Sequence, residues 1–314
     1  MAKADTYPVM NGIIQGVESK ERWFPGDPLP WTTQICHGIT CNIVIDYKRC
    51  LKIPEFETKP DDVFIVTYPK SGTTWMQQIV KCIRTKGHPE TVDEHLEDIF
   101  PWFEAMPQKD MEDRPSPRIY KSHSPYYMAA KGKSEATRCK YIHVIRHPKD
   151  VCVSLFHHMK GFWDYEFNGE FPEFVDLFLG GKVESGCWFD FVRTWYECAA
   201  SKDERVLYVR YEDMKQKPRE VIQQVADFLE LPIDEAIIDL TIEKSSFAKM
   251  QKDNHANMSW RKEEFRANAE PFMRKGTVGD WKNHFSDEEQ NKHFNEIFTE
   301  KLAGTKVESL YDLN

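Results

Sequence analysis

The sequence predicts an α/β fold in which a central parallel sheet carries helices on its faces. Short apolar, β-branched segments alternate with segments of helical spacing, which is the pattern of strand–helix–strand units. The predicted strands are VFIVTY (63–68), RIY (118–120), KYIHVI (140–145) and RVLYV (205–209). A chain of 314 residues is long enough for one large α/β domain or for two small ones.

Each predicted strand is supported by its composition and by the segment after it. VFIVTY is apolar and ends at Pro69, which favours a buried strand, and the residues from Met76 to Ile83 then follow helical spacing up to Gly87. RIY leads into KSH. KYIHVI leads to the helix-like segment VCVSLFHHM (151–159), and RVLYV leads to REVIQQVADFLEL (219–231).

The two ends of the chain are predicted to be less regular than the middle. Residues 1 to about 60 are expected to be irregular: WFPGDPLPW (23–31) favours a loop, and GITCNIVIDY (38–47) fits either a strand or a short amphipathic element. Residues 233–314 are expected to be mainly helical, with an interruption at PFMRKGTVGDW (271–281).

The composition is that of a soluble globular protein, with 40% hydrophobic and 30% charged residues. The formal net charge of −9 argues against general nucleic-acid binding, because phosphate backbones require basic surfaces. Any anion site must therefore be a local cluster of cations.

The cysteines and the apolar segments indicate a cytosolic protein. The eight cysteines form no CxxC pair, and no His cluster has zinc-finger spacing, so we expect reduced, mostly buried thiols. No signal peptide is recognisable, and no apolar run approaches the roughly 18 residues that a membrane helix requires.

Polar residues come directly after the predicted strands, at one edge of the sheet. They are Lys70, Lys121 with His123, Arg146 and Tyr211. In an open α/β sheet, ligands bind outside the carboxyl ends of the strands, so these groups are expected to converge on one ligand.

The segment 70–74, Lys-Ser-Gly-Thr-Thr, is predicted to hold an anion between the first strand and its helix. A helix N-terminus presents unpaired N–H groups and the positive end of the helix dipole, Gly72 allows a close approach, and Lys70 adds a charge. The segment is not a Walker A motif, in which Lys follows the second Gly. A simple helix cap in a surface turn is the alternative interpretation.

Motifs along the chain resemble those of the cytosolic sulfotransferase family. YPKSGTTW (68–75) and FMRKGTVGDW (272–281) carry the resemblance, and the segments between them agree with it: KSH (121–123), RHPKDVCVS (146–154), YEDM (211–214) and SSFAKM (245–250). Ser122 and Ser245 stand where the family has Thr. The resemblance runs from about residue 55 to 285.

The resemblance implies a single domain with the P-loop-kinase-like sulfotransferase fold. The implied domain boundaries are a PAPS-dependent sulfotransferase domain over 56–314 and an irregular N-terminal arm over 1–55, which is expected to pack near the acceptor pocket. PAPS is 3′-phosphoadenosine 5′-phosphosulfate, the sulfuryl donor of this family.

The family's chemistry implies transfer of a sulfuryl group from PAPS to a small acceptor, with PAP as the product and without a metal. The phosphosulfate is then assigned to Lys70, Ser71, Gly72, Thr73 and Thr74. The 3′-phosphate is assigned to Arg146, Ser154, Arg274, Lys275 and Gly276. The adenine is assigned to Trp75, Tyr211, Ser245, Phe247 and Met273.

The catalytic residues implied by the resemblance are His123, Lys121, Lys70 and Ser154. His123 matches the family's general base, which is needed because an acceptor hydroxyl is a weak nucleophile until its proton is removed. Lys121 and Lys70 are expected to stabilise the charge that develops on the bridging oxygen.

The acceptor pocket is expected to be apolar and aromatic, because FPWFEAM (100–106) resembles the family's substrate segment. The candidate lining residues are Phe24, Trp102, Phe103, Phe156 and His158. Such a pocket suits a lipophilic alcohol, a phenol or an amine. Ordinary core packing of these aromatic residues is the alternative interpretation.

Other functions predict different features. A P-loop nucleotide kinase requires Lys after the Gly and a carboxylate for Mg²⁺, and a non-catalytic nucleotide-binding module has no use for His123 beside Lys121. A Golgi sulfotransferase requires a membrane anchor and usually disulfides. A retinol-dehydratase-like enzyme, which sulfates its acceptor and then eliminates sulfate, would use the same site, and the sequence leaves it open.

The segment KNHFSDEEQN (282–291) corresponds to the family's dimerisation motif, Lys-x-x-x-Thr-Val-x-x-x-Glu, but retains only Lys282. Asp287 stands where the motif has Val, and burying a carboxylate on both sides of a two-fold axis is costly. Ser286 is the predicted N-cap of a helix whose first turn includes Asp287 and Glu288. We therefore expect a mainly monomeric protein, or a dimer through another surface.

Overall fold

A four-stranded parallel sheet forms the centre of the protein. The computed structural model describes residues 21–22, 32–36, 39–41, 50, 52–132, 134, 137–199 and 205–313. The strands of the sheet, in the order in which they lie side by side, are Ile119–Ser122, Val63–Thr67, Lys140–Ile145 and Val206–Arg210. Neighbouring strands are parallel, so their carboxyl ends meet at one edge. The predicted α/β class with a central parallel sheet is confirmed.

Alternation along the strands directs side chains into two hydrophobic cores, one on each face of the sheet. Val63 and Ile65 belong to the first core, and Phe64 and Val66 to the second. The main helices of the first core are Thr73–Arg84, Pro218–Phe228 and Glu235–Lys244. Those of the second are Pro148–Gly161, Phe171–Leu179, Trp188–Arg193 and Glu288–Leu302. Shorter helices are Leu96–Ile99, Gln108–Glu112, Tyr211–Gln216 and Phe247–Lys252, and Thr194–Ala199 is a π-helix.

The predicted strands and the helices after them are present, with shifted ends. The helix after the first strand spans Thr73–Arg84, close to the predicted end at Gly87. The second strand begins at Ile119 and includes Lys121 and Ser122, which the sequence placed after it. His123 is therefore the first residue beyond the end of this strand.

The N-terminal region contains strands where the sequence predicted irregular structure. Glu21–Arg22, Thr32–Cys36 and Ile39–Cys41 pair as an antiparallel sheet. The strand alternative for the segment 38–47 thus holds for Ile39–Cys41. The segments 23–31 and 42–49 lie outside the described residues, so the loop predicted at 23–31 stays a prediction.

The C-terminal region is less helical than predicted. Between Lys252 and Glu288 its helical segments are the 3-10 turns Ser259–Glu264 and Asp280–Asn283. Gly276 and Gly279 lie inside the predicted interruption at 271–281, and their positive φ, which a helix does not tolerate, agrees with it.

The helix Glu288–Leu302 is capped by Asp287, not by the predicted Ser286. Asp287 Oδ1 accepts hydrogen bonds from the backbone N–H groups of Glu289 (2.9 Å) and Gln290 (3.1 Å). A carboxylate at the N-cap satisfies these unpaired donors and also interacts favourably with the positive end of the helix dipole, which a Ser hydroxyl does less well.

Membrane-spanning helices and metal clusters are both absent from the part of the chain that the structure describes. No helix there is long and apolar enough to cross a bilayer, and no group of three or more His, Cys, Asp or Glu side chains is arranged to hold a metal ion. The thiols described, at Cys41, Cys50, Cys82, Cys139, Cys152 and Cys187, form no disulfide, and all but the last are buried.

Candidate active site

A cavity of about 240 Å³ lies where the carboxyl ends of the parallel strands meet. The predicted nucleotide residues that line it are Lys70, Gly72, Thr73, Thr74, Trp75, Arg146, Ser154, Tyr211, Ser245, Phe247, Met273, Arg274, Lys275 and Gly276. Lys121 and His123 line the same cavity, as do Trp102 and His158. Segments that are distant in sequence thus meet at one site.

Phe103 is placed in the core instead of the predicted acceptor pocket. It is 1% exposed, and its ring packs edge-on against Phe56 and Phe64 at centroid distances of 5.0 Å. Trp102 lines the cavity, and the side chain of the next residue points the opposite way.

Phe156 also faces away from the cavity. Its ring packs edge-on against Phe171 and Phe174, on the inner side of the helix Pro148–Gly161. Ser154 and His158 both line the cavity because residues four apart share one helix face. Phe156 is two positions from each of them and therefore lies on the opposite face. Phe24 lies outside the described residues.

The anion loop has a tightly constrained backbone. Lys70 and Gly72 have φ values of 68° and 111°, and a Cβ atom at Gly72 would lie 2.8 Å from Tyr211 Cδ2. Ser71 lies behind the loop: it is 0% exposed, and its hydroxyl has no hydrogen-bond partner among the described residues. The N–H groups of the first turn after Gly72 have no partner within the helix, so the loop can receive an anion.

Lys70 lies at this loop beside other cations and, among the residues that the structure describes, forms no ion pair with a carboxylate. Its Nζ lies 4.0 Å from the centroid of the Phe272 ring. Burial and the neighbouring cations Arg146 and Arg274 lower the pKa of Lys70 to about 7. A multiply charged anion would relieve this repulsion and restore the full charge of the ammonium group.

Arg146 joins the anion loop to the segment 271–281. Its guanidinium donates hydrogen bonds of 3.1 Å to the carbonyl oxygens of Lys70 and Thr277, and it lies 4.4 Å from the centroid of the Tyr211 ring. The guanidinium is thereby fixed at the cavity wall, where the resemblance places the 3′-phosphate.

A second group of cations is held by Asp280. Its carboxylate accepts hydrogen bonds from Arg274 Nη2 (2.5 Å) and Lys275 Nζ (2.8 Å). Burial opposes ionisation of Asp280, but the hydrogen bonds from Lys275 and Arg274 outweigh it and hold the pKa of Asp280 well below its usual range. The cavity therefore receives cations both from the anion loop and from the segment 271–281, which fits a ligand with more than one phosphate group.

Gly276 is required where this segment approaches Phe247. Its φ is 62°, and a Cβ atom there would lie 2.3 Å from Phe247 Cδ2. We expect Gly276→Ala to lower the free energy of unfolding by about 2–4 kcal/mol, because it adds a steric clash to the strain of a positive φ. Denaturant-induced unfolding measures this change.

Gly279→Ala is the matched control for that substitution. Gly279 also has a positive φ, of 82°, but a Cβ atom there meets nothing within 4 Å. Only the backbone strain of about 1 kcal/mol is expected for this variant. Equal destabilisation by the two substitutions would show that Gly276 is not packed against Phe247.

His123 is held in one tautomer. Its Nδ1 lies 2.8 Å from the carbonyl oxygen of Thr67, which can only accept, so Nδ1 carries the proton and Nε2 keeps its lone pair. The backbone N–H of His123 donates to Glu104 Oε1 at 3.1 Å, and the same oxygen accepts from the Ser122 and Ser124 hydroxyls at 2.5 Å. The buried Glu104 therefore fixes the chain on both sides of the imidazole.

The imidazole is neutral at neutral pH. Burial lowers the pKa of His123 to about 4, and Lys121 acts in the same direction, whereas the hydrogen bond to Thr67 opposes the shift. A neutral imidazole with a free Nε2 can accept a proton.

Lys121 is engaged by a carboxylate. Its Nζ lies 2.6 Å from Glu97 Oε1, and Arg261 Nη1 lies 3.5 Å from the same oxygen. Burial raises the pKa of Glu97, but the cations Lys121 and Arg261 outweigh it, and the net pKa lies below the ordinary value.

The cavity that His123 lines also has apolar and aromatic walls. The residues that contribute to them are Leu96, Trp102, Phe162, Tyr165, Met258 and Phe272. A smaller cavity of about 30 Å³ adjoins His123 and Trp102 and is also lined by Ile39 and Cys41, which places part of the N-terminal region beside His123.

Sequence reasoning missed several residues of this site. Thr67 and Glu104 orient His123, and Glu97 and Arg261 contact each other at the cavity wall. Thr67 is the last residue of the first strand, and Glu104 lies within the quoted FPWFEAM segment, so both could have been considered. No sequence signal connects Glu97 to Arg261, because their contact depends on the tertiary fold.

Comparison with known proteins identifies the family. The model of the Sulfotransferase domain matches residues 60–306. The chain is 38% identical over 282 residues to the amine sulfotransferase of Oryctolagus cuniculus, covering 87% of this chain and 92% of the relative. It is also 38% identical over 271 residues to sulfotransferase 1C2 of Rattus norvegicus, covering 83% and 90%. The chain therefore belongs to the sulfotransferase domain family.

Solved structures of similar fold agree with this assignment. Mouse sulfotransferase SULT7A1 complexed with PAP has a TM-score of 0.72 at 26% sequence identity, covering 88% of this chain and 97% of the other. Retinol dehydratase in a complex with retinol and PAP has a TM-score of 0.78 at 22% identity, covering 89% and 92%. At that identity the second likeness shows the fold alone.

Proposed function

We propose that the protein transfers a sulfuryl group from PAPS to a hydroxyl or amine group of a small lipophilic acceptor. The observation that carries the proposal is the placement of His123, with Nδ1 bonded to Thr67 and Nε2 available, on the same cavity as the cationic anion loop. A base and an anion site that share one cavity are what this reaction requires.

His123 serves as the general base in this reaction. Nε2 accepts the proton of the acceptor as the acceptor oxygen or nitrogen forms its bond to sulfur. The bond between sulfur and the bridging phosphate oxygen breaks, and its electron pair leaves with the phosphate to give PAP. The hydrogen bond from Nδ1 to Thr67 stabilises the imidazolium that results.

The pKa of His123 is expected to rise once the donor is bound. In the free protein its value of about 4 reflects burial and the nearby cations. The negative charge of the donor offsets those cations, which makes Nε2 a stronger base when substrate is present. Lys70 and Lys121 stabilise the charge on the leaving oxygen.

The two cationic groups of the cavity hold the two ends of the nucleotide. The phosphosulfate lies on the loop of Lys70, Ser71, Gly72, Thr73 and Thr74. The 3′-phosphate lies on Arg146, Ser154, Arg274, Lys275 and Gly276. Trp75, Tyr211, Ser245, Phe247 and Met273 contact the adenine. A Cβ atom at Gly72 would collide with Tyr211, and one at Gly276 with Phe247, so the two glycines leave room for the rings assigned to the adenine.

Selectivity for the 3′-phosphate tests this assignment. We expect Arg274→Ala to weaken binding of adenosine 3′,5′-bisphosphate by about 1.5–3 kcal/mol, because one charge-assisted phosphate contact is lost. Binding of adenosine 5′-monophosphate should change by less than about twofold. Isothermal titration calorimetry measures both affinities.

Arg219→Ala is the control for the loss of an arginine. Arg219 is an exposed residue that pairs with Glu235 and Asp239, away from the cavity. This variant should bind both nucleotides as the wild type does. Equal weakening of the binding of both nucleotides by Arg274→Ala would contradict the assignment of Arg274 to the 3′-phosphate.

Tight binding of ATP–Mg²⁺ by the wild type in place of the bisphosphate would favour a nucleotide kinase.

The acceptor is proposed to be a small lipophilic alcohol, phenol or amine. The apolar and aromatic residues that line the same cavity as His123 support this class, with Trp102 and His158 at the wall. The rabbit relative is named an amine sulfotransferase, and amines are therefore included among the acceptors. We further propose that the protein acts in the cytosol and requires no metal.

We propose that the chain is mainly monomeric, or dimerises through a surface other than 282–291. Asp287 caps a helix, and Asn291 Oδ1 accepts a hydrogen bond of 2.6 Å from Lys149 Nζ, so both serve contacts within the chain. Light scattering at micromolar concentration should give the mass of one chain. A stable dimer that dissociates on substitution of Lys282 or Asp287 would show that the segment is an interface.

A further inference from the structure

Glu97 is a charged residue of the cavity that the proposed reaction does not use. Its Oε1 lies 2.6 Å from Lys121 Nζ and 3.5 Å from Arg261 Nη1, and all three residues line the cavity. The side chains of Glu97 and Lys121 are 24% and 12% exposed, so water screens this ion pair only partly.

The contact with Glu97 opposes the role of Lys121 toward the donor. An ammonium group is a compact charge, and a carboxylate at 2.6 Å weakens its attraction for any other anion. Lys70 differs in this respect: no ion pair with a carboxylate is found for it in the described part of the chain, and its neighbours are cations. An anionic donor that contacts both lysines therefore competes with a carboxylate, Glu97, for Lys121, but it meets no such competitor at Lys70.

Arg261 already shares Glu97 with Lys121 and can hold it alone when Lys121 leaves, and its guanidinium also pairs with Glu264. It belongs to the turn Ser259–Glu264, and two further contacts hold this turn and the residues before it beside Glu97. Leu96 N–H donates to the carbonyl oxygen of His255 at 2.9 Å, and the rings of His95 and Trp260 stack with a centroid distance of 4.0 Å. The residues just before Glu97 are thus in contact with residues just before Arg261, and the two charges stay close.

We propose that Glu97 is a positioning residue that exchanges shared contact with Lys121 and Arg261 for contact with Arg261 alone when the sulfate donor binds. In the free protein Glu97 holds the Lys121 ammonium group at 2.6 Å and the Arg261 guanidinium at 3.5 Å. The anionic donor draws Lys121 away, and Arg261 then balances the charge of Glu97. The proposal rests on the proposed function, because it requires Lys121 to reach the phosphosulfate region.

The exchange makes the affinity for the nucleotide depend on Glu97. We expect Glu97→Gln to bind PAP about three- to tenfold more tightly than the wild type, because Lys121 no longer has to leave a carboxylate. In a Lys121→Met background the same substitution should change the affinity by less than about twofold. Calorimetric titration with PAP measures both comparisons.

Asp98→Asn is the matched control for Glu97→Gln. Asp98 is an exposed acidic residue on the same helix, Leu96–Ile99, and does not line the cavity. Its substitution removes one negative charge and should leave the affinity for PAP unchanged. A comparable gain in this variant would show that net charge, and not the Glu97–Lys121 contact, sets the affinity, and would overturn the proposal.

Arg261→Gln provides a second, independent test. Arg261 is the second cation that contacts Glu97 in the described part of the chain, so without it Glu97 holds Lys121 more tightly, and binding of PAP should weaken by about two- to fivefold. Unchanged or tighter binding in Arg261→Gln, or an equal effect of Glu97→Gln with and without Lys121, would overturn the exchange. Failure of the wild type to bind PAP at all would instead reject the proposed function.

Discussion

Replacing His123 with Ala is expected to lower kcat for sulfuryl transfer by about a hundredfold or more, the range that a general base supplies. Nε2 of His123 is available because Nδ1 is bonded to the Thr67 carbonyl oxygen, and Ala cannot accept a proton. The affinity for PAP should stay nearly unchanged, since the proposed nucleotide contacts lie on other residues. Steady-state kinetics and calorimetry separate these two quantities.

His88→Ala is the control for this substitution. His88 is an exposed histidine paired with Glu90 on the surface, and it does not line the cavity. Its replacement should leave both kcat and the affinity for PAP unchanged. Turnover by His123→Ala comparable to that of the wild type would remove His123 from the role of base.

Replacing Lys70 with Met is expected to lower kcat/KM for the donor by roughly a hundredfold to a thousandfold, because a cation at the developing charge is lost. The free energy of unfolding should not fall. Burial and the cations Arg146 and Arg274 lower the pKa of Lys70 to about 7, so charging this residue costs the folded protein free energy. A loss of activity without a loss of stability is the expected combination.

Lys86→Met is a closely matched control for Lys70→Met. Lys86 also adopts a positive φ, of 52° against 68° for Lys70. The two substitutions therefore share the loss of a charge and the same backbone conformation, but Lys86 lies away from the cavity. If both variants lost activity to the same extent, the effect would belong to the backbone or the net charge and not to the anion loop.

The sheet and the anion loop could be predicted from the sequence because they depend on local patterns. VFIVTY is apolar throughout since both faces of its strand are buried, and the Lys-Ser-Gly-Thr-Thr turn reflects the positive φ required at Gly72. The convergence of polar residues at the strand ends is a consequence of parallel topology, so Lys121 and Arg146 could be placed together from the sequence alone.

Side-chain direction and long-range contacts could not be predicted in the same way. Phe103 and Phe156 are aromatic like Trp102, but the local backbone turns them into the core, and composition does not encode that choice. The ion pair of Glu97 and Lys121 joins residues on a short helix and a strand, and its partner Arg261 comes from a distant turn.

The helix cap shows a finer limit of sequence reasoning. Ser286 and Asp287 both hydrogen-bond well at an N-cap, and only the added interaction of a carboxylate with the helix dipole favours Asp287. That difference is too small to fix a helix end to one residue from the sequence, and the structure begins the helix at Glu288.

Transfer of labelled sulfate from PAPS tests the central claim most directly. The protein would be incubated with PAPS carrying radiolabelled sulfate and, in turn, with a phenol, a lipophilic alcohol and an arylalkyl amine, and the products would be separated by chromatography. The account predicts that label moves to at least one acceptor class, that PAP forms in equal amount, and that His123→Ala abolishes most of the transfer. Absence of transfer to every class by a protein that still binds PAP would contradict the account.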